Sequence, residues 1–144
     1  MYGFPYVSSF CWANGRLKTE LLKKIQKNVD TVYIGFSAGE EKRKKSDPKF
    51  KYPLIEWGWT SEDCQEYLFK KNLVNPLYQL GFTRLGCWLC PKQSLQSLKT
   101  LYYHYPRLWE KLKQLEKESP QGFKPNFSLD QFEKKITSQA NKKL

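Results

Sequence analysis

The chain has 144 residues, and its 25 Lys and Arg against 14 Asp and Glu leave a formal charge of +11 and a pI near 9.5. Aromatic residues make up 16% of it, which excludes a wholly disordered chain, because such residues supply the burial that disordered sequences lack. No apolar run approaches the roughly 20 residues of a membrane helix, Met1-Tyr2-Gly3-Phe4-Pro5 lacks the basic and apolar regions of a signal peptide, and a cytoplasmic location is the default expectation.

The first helical pattern runs from Arg16 to Lys27, with Leu17, Leu21, Leu22 and Ile25 on one face. Thr31-Val32-Tyr33-Ile34-Gly35-Phe36 reads as a buried strand, short, β-branched and bounded by turn formers. A charged loop from Gly39 to Lys51 carries Arg43 and five lysines. A second short strand is predicted over Tyr52-Pro53-Leu54-Ile55-Glu56-Trp57, with Pro53 arguing for an edge or entry position. Thr60-Ser61-Glu62-Asp63 is a capped helix start, and that helix carries Cys64, Tyr67 and Leu68 on one face and ends near Asn72. Loop follows through Asn75-Pro76 and Gly81 to Gly86. Pro91 is placed as the first residue of another helix, with Leu95, Leu98 and Tyr102 at helical spacing. Pro106 opens the next, whose Leu108, Leu112 and Leu115 form a stripe. After Ser119-Pro120-Gln121-Gly122, Ser128 and Gln131 form a capping box for a last amphipathic helix with Leu129, Phe132 and Ile136. The pattern is α/β, helix-rich, with two or three short strands. So few strands do not make an independent sheet, and a protein partner or a second copy of the chain is expected to cover it.

The four cysteines are Cys11, Cys64, Cys87 and Cys90. In a reducing compartment they read as metal, redox or core residues rather than as a disulfide framework. Cys87-Trp88-Leu89-Cys90-Pro91 is the sharpest local signal. Two thiols three positions apart suit one metal ion or cluster, a redox disulfide, or simple packing of Trp88 under a tight turn. With Pro91 opening a helix, Cys90 is expected at its N-terminus, where the dipole favours a thiolate. There is no second Cys-x-x-Cys pair, so a four-thiolate site has to use Cys11 and Cys64, and zinc and an iron–sulfur cluster both suit such a site. Cys64 shares a helical face with Leu68, as a core cysteine does, and Cys11 lies in an aromatic stretch between Phe10 and Trp12. The single histidine, His104, stands next to a helix end and reads as structural. Ser37-Ala38-Gly39-Glu40 follows a strand, but one glycine and the acids after it exclude a phosphate cradle. In the basic run from Lys42 to Lys45, a solvated loop and a phosphate contact are both open, and Arg43 is the residue best suited to bidentate contact. The charge excess favours polyanionic partners, namely nucleotides, nucleic acid or an anionic surface, with lysines that merely keep the chain in solution as the alternative.

Several segments, taken in order, resemble the phosphoadenosine phosphosulfate (PAPS) reductase family, in particular the PAPS-reductase-like proteins of bacteria and their phages. They are Tyr33-Ile34-Gly35-Phe36-Ser37-Ala38 with Glu41 and Arg43, Tyr52 to Trp57 before a capped helix, Asn75-Pro76-Leu77-Tyr78, Gly81-Phe82, and Arg84-x-Gly86-Cys87-x-x-Cys90-Pro91. The resemblance implies a doubly wound α/β fold of the adenine nucleotide alpha hydrolase type. Residues 1–118 resemble its second half, and residues 119–144 add a turn and a terminal amphipathic helix. The pyrophosphate loop of the family's first half has no counterpart here, and no cysteine follows Cys90 where the family's reductases carry a nucleophile. By the same resemblance, Lys18, Arg43 and Arg84 face an anionic substrate, and Cys87 and Cys90, with Cys64 and Cys11, hold an iron–sulfur cluster or zinc. The implied function is sulfur transfer or adenine nucleotide handling, as one part of a split enzyme. The other expectation is a non-catalytic nucleic-acid-binding or accessory protein that retains half of the fold.

Overall fold

The computed structural model describes residue 4 and residues 11–141, so Phe10, one flank of Cys11, lies outside the described residues. Helical backbone is continuous through α1 (Trp12–Asn14), a π-helical segment (Gly15–Thr19) and α2 (Glu20–Gln26). Then follow β1 (Val32–Tyr33), a 3-10 turn (Glu41–Arg43), β2 (Phe50–Lys51), α3 (Pro53–Glu56), α4 (Ser61–Lys70) and α5 (Pro76–Gln79). The chain continues through α6 (Leu95–His104), α7 (Pro106–Glu118) and α8 (Leu129–Asn141). Among the described residues no helix is long and apolar enough to cross a membrane. The chain divides into two compact units, residues 14–75 and residues 1–13 with 76–144.

Within residues 14–75, β1 and β2 pair in parallel, Val32 opposite Phe50 and Tyr33 opposite Lys51. The predicted strand from Thr31 to Phe36 is present but shorter, and it is not buried, for Tyr33 is 73% exposed. The predicted strand from Tyr52 to Trp57 is corrected: the ladder ends at Lys51, and Pro53 opens α3. Proline has no N–H to give a ladder, while its fixed φ suits the first position of a helix. Glu56 then donates its N–H to Tyr52 O at 3.0 Å. α4 starts on the expected capping box, with Asp63 N–H donating to Thr60 Oγ1 (3.2 Å) and Thr60 N–H donating to Asp63 Oδ2 (2.9 Å). It ends at Lys70, and just beyond it Asn72, at a φ of 54°, lets Leu73 N–H reach Leu68 O at 2.9 Å. The stripe Leu17, Leu21, Leu22 and Ile25 lies on the helix but faces solvent, Leu17 and Ile25 being 65% and 64% exposed. Tyr52 is the buried large apolar side chain of this unit among the described residues, stacked on Phe36 at 5.8 Å.

In the other unit α6, α7 and α8 enclose a core that includes Leu98, Leu101, Trp109, Leu112, Leu129 and Ile136. Burying a side chain of this size contributes about 1.5–3 kcal/mol. Pro106 opens α7 as expected, and the predicted capping box opens α8, with Ser128 N–H donating to Gln131 Oε1 (3.0 Å) and Gln131 N–H donating to Ser128 Oγ (3.2 Å). Glu116 fixes the connection between them: its carboxylate accepts from Phe123 N–H at 2.9 Å and from Leu129 N–H at 2.8 Å. Glu133 ties α8 to α7, accepting from Trp109 Nε1 (3.0 Å) and Lys113 Nζ (2.7 Å). The expected helix start at Pro91 is corrected. α6 begins at Leu95, and the Ser94 hydroxyl caps it by accepting from Ser97 N–H at 3.1 Å.

Candidate functional site

The loop from α5 to α6 carries Arg84, Cys87 and Cys90. It leaves α5 through Gly81, at φ 101°, where a Cβ would stand 3.3 Å from Thr100 Oγ1; both the conformation and the close approach call for glycine. A hydroxyl cluster then pins it to the start of α6. Thr83 N–H donates to Ser97 Oγ at 3.2 Å, and Thr83 Oγ1 lies 2.9 Å from Ser94 Oγ. Arg84 Nη2 donates to Lys92 O at 2.9 Å, which folds the loop back on itself.

The cysteine pair forms a tight turn, with Cys90 N–H donating to Cys87 O at 3.0 Å. Gln93 closes it. Its backbone N–H donates to Cys90 O (3.1 Å), and its side-chain amide donates to Cys87 O (3.1 Å) and Trp88 O. Pro91 sits in the following turn and Cys90 lies four residues before the Ser94 cap, so the expected placement of Cys90 at a helix N-terminus is corrected. Cys87 is exposed and Cys90 half-buried. A cavity of about 270 Å³ opens beside them, with walls from Phe82, Leu101 and Leu108, and Arg84, Cys87 and Cys90 among its lining. An apolar cavity with a few convergent polar groups is what a small ligand requires.

The other predicted residues lie elsewhere. Cys11 is half-buried in the same unit as the turn, and Cys64 is half-buried on α4, within residues 14–75. Among the described residues no three His, Cys, Asp or Glu side chains converge as a metal shell, and the four cysteines form no disulfide. Lys18 is exposed on the π-helical segment. Arg43 stacks its guanidinium 4.1 Å from the Phe36 ring and pairs with Glu40. The Glu40 carboxylate also accepts from Ser37 N–H (3.1 Å) and Ser37 Oγ (3.2 Å). The backbone bond from Ser37, and then Arg43, hold its pKa below the usual carboxylate value, so the donors of this loop are used by the chain itself.

The profile of the phosphoadenosine phosphosulfate reductase domain matches residues 14–93. The chain belongs to this family. The PAPS reductase match takes in Arg84, Cys87, Cys90 and Gln93 and stops before α6. Two uncharacterized proteins of Methanocaldococcus jannaschii, MJ0066 and MJ0973, are each 28% identical to the chain, over 124 and 123 residues. Each alignment covers 76% of this chain but only 26% and 29% of those proteins, so the chain spans less than a third of the length of the curated relatives it matches. No solved structure matches it.

Two residues of the thiol turn escaped the sequence reading. Gln93 acts through carbonyls, which no residue spacing signals. Lys124 donates its Nζ to Gln93 O at 2.6 Å across 31 positions, from a stretch that reads only as a turn.

Proposed function

We propose that this member of the PAPS reductase family works in sulfur transfer or adenine nucleotide handling through the Cys87–Cys90 turn, whose thiols hold zinc or an iron–sulfur cluster. The observation that carries this reading is the convergence of Arg84, Cys87 and Cys90 on one apolar cavity, in a loop fixed by its own hydrogen bonds. Two thiolates supply half of a tetrahedral shell. Cys11 and Cys64 are the other thiols of the chain, and a partner chain or an exogenous ligand is the alternative source. Zinc there would be structural, whereas a cluster would carry electrons. Arg84 is the anion-facing cation of this turn, and Lys18 and Arg43 are anion-facing cations of residues 14–75. A partner polypeptide supplies the pyrophosphate-binding donors that the loop at Ser37 lacks, making the chain one part of a split enzyme.

Anaerobic purification with metal analysis and a visible spectrum tests this. Brown protein with several irons per chain means a cluster, and one zinc per chain means a structural site. In either case Cys87→Ser and Cys90→Ser are expected to lose the metal. Wild-type protein that is metal-free yet cooperatively folded overturns the metal role.

A second reading, a nucleic-acid-binding accessory protein, has its own observation. Within residues 36–52, Arg43 lies over Phe36 at 4.1 Å, Lys45 Nζ over Phe50 at 4.0 Å and Lys44 Nζ over Tyr52 at 5.5 Å. Cations ordered on rings in a chain of net charge +11 suit a phosphate backbone. Salt-sensitive binding of single-stranded DNA that Arg43→Ala with Lys45→Ala weakens supports it, and no binding at low salt removes it.

A further inference from the structure

The stretch between α7 and α8 lies beyond the family match, yet it delivers a cation to the thiol turn. Glu116 holds that stretch through the backbone N–H groups of Phe123 and Leu129, on either side of Lys124. Lys124 Nζ is thereby placed 2.6 Å from Gln93 O. Gln93 is only 7% exposed and bonds to the carbonyls of Cys87, Trp88 and Cys90. The ammonium therefore touches the residue whose hydrogen bonds fix the backbone of both cysteines.

The electrostatics of this placement are unbalanced. Partial burial pushes the Lys124 pKa down, the neighbouring Cys90 sulfur pushes it up, and Arg84 pushes it down again. Among the described residues no carboxylate pairs with Lys124 or Arg84, whereas Lys113, on the far side of the same connection, has Glu110, Asp130 and Glu133. A charge withdrawn from water costs free energy unless a partner meets it. Lys124 and the exposed Arg84 each donate to a backbone carbonyl, of Gln93 and of Lys92, and among the described residues neither pairs with an acid, so the turn carries positive charge that an anion can meet.

We propose that Lys124, together with Arg84, makes the Cys87–Cys90 turn selective for anionic partners of its thiols, and that the stretch between α7 and α8 is a working part of the site. This rests on Cys87 and Cys90 being the working thiols, and adds the sign of the charge they receive and the residue that reads it. Lys124 acts through Gln93 and through its field, so it is a positioning and specificity residue.

The test uses the full chain carrying Cys11→Ser and Cys64→Ser, reduced and metal-free, so that only Cys87 and Cys90 react. Thiol reaction rates are measured with dianionic dithiobis-nitrobenzoate and with neutral dithiodipyridine, at low and at high salt. Lys124→Gln retains a hydrogen-bonding group but no charge. It is expected to lower the ratio of the anionic to the neutral rate roughly fivefold at low salt, an effect that high salt screens. Lys124→Arg is expected to keep the ratio. An unchanged ratio in Lys124→Gln overturns the proposal, and so does an equal fall in both rates, which marks a purely structural role. If circular dichroism shows the serine background unfolded, the same ratio is read on the native chain, with the modified cysteines identified by mass spectrometry. A metal-free wild-type chain that keeps the Lys124-dependent ratio removes the metal reading alone. A metal-loaded chain whose ratio ignores Lys124 removes this inference alone.

Discussion

Residues 14–75 and residues 76–141 are organised by different forces. The second stretch packs Leu98, Trp109, Leu112, Phe123, Leu129 and Ile136 into one core. The first has Tyr52 as its buried large apolar side chain among the described residues, and it leaves Leu17, Leu21, Ile25, Phe69 and Leu73 in solvent. What organises it is local: a two-residue parallel ladder, a capping box at Thr60 and a left-handed cap at Asn72. Such devices contribute about 1 kcal/mol apiece, less than one well-buried side chain. The family match covers the whole of the locally organised stretch and none of α6, α7 or α8. The residues that mark the family are thus not the ones that supply burial.

The contrast breaks most readily at Trp109. Trp109→Ala removes a fully buried indole and its bond to Glu133, and should lower unfolding stability in urea by about 3–5 kcal/mol. A loss under about 1 kcal/mol would mean that the helical core is not where stability resides. Glu116→Ala comes next. It strands the N–H groups of Phe123 and Leu129, for an expected cost of about 1–3 kcal/mol. The same variant should release Lys124 and move the thiol-rate ratio along with stability.

Acid sharpens the comparison further, because the two stretches hold their carboxylates differently. Lys113 keeps the pKa values of Glu133 and Asp130 below their ordinary values of 4.5 and 3.8. Folded-state values below unfolded ones mean stability that is present above the ordinary values and lost as pH falls through the lower folded ones. Lys113 itself is raised, so its contribution is complete at neutral pH and is lost only on the alkaline side of 10.5. In residues 14–75, Glu40, Glu41 and Asp63 are lowered chiefly by backbone N–H bonds. Urea midpoints measured from neutral pH down through the carboxylate range should therefore fall. Lys113→Met should flatten part of that fall, and high salt should do the same, since salt screens an ammonium more than a backbone hydrogen bond. An unaltered acid profile in Lys113→Met would assign the sensitivity to the other stretch.

Legibility follows the same division. α4, α7 and α8 are readable because Thr60 with Asp63, Pro106, and Ser128 with Gln131 act within a few residues of themselves. Arg84, Cys87 and Cys90 stand out by local spacing, and the loop brings all three to one cavity. Proline is where local reasoning fails, since Pro53 fits a strand entry or a helix start, and Pro91 fits a helix start or a plain turn. The choice fell to the Ser94 cap and to the hydrogen bonds onto Tyr52 O. The stripe Leu17, Leu21, Leu22 and Ile25 is readable as a helix face, but its exposure is not, because periodicity reports which residues align and not what covers them. Lys124 at Gln93 is beyond any local rule.

That stripe yields the smallest expected effect and the sharpest reading of the comparison. In solvent, Leu21→Ser removes no packing, so its cost should stay within about 0.5 kcal/mol, the range of ordinary surface substitutions. The same change in a covered face would approach the cost of a core truncation, about 2 kcal/mol or more. Urea unfolding of Leu21→Ser beside Trp109→Ala therefore measures how much of the contrast survives in solution. Concentration adds a second axis. If a second copy of the chain covers Leu17, Leu21 and Ile25, the wild-type midpoint rises with protein concentration while that of Leu21→Ser does not, because association stabilises only the species that associates. A midpoint independent of concentration, with a cost near zero for Leu21→Ser, leaves the stripe open to a different polypeptide, which is the arrangement a split enzyme requires.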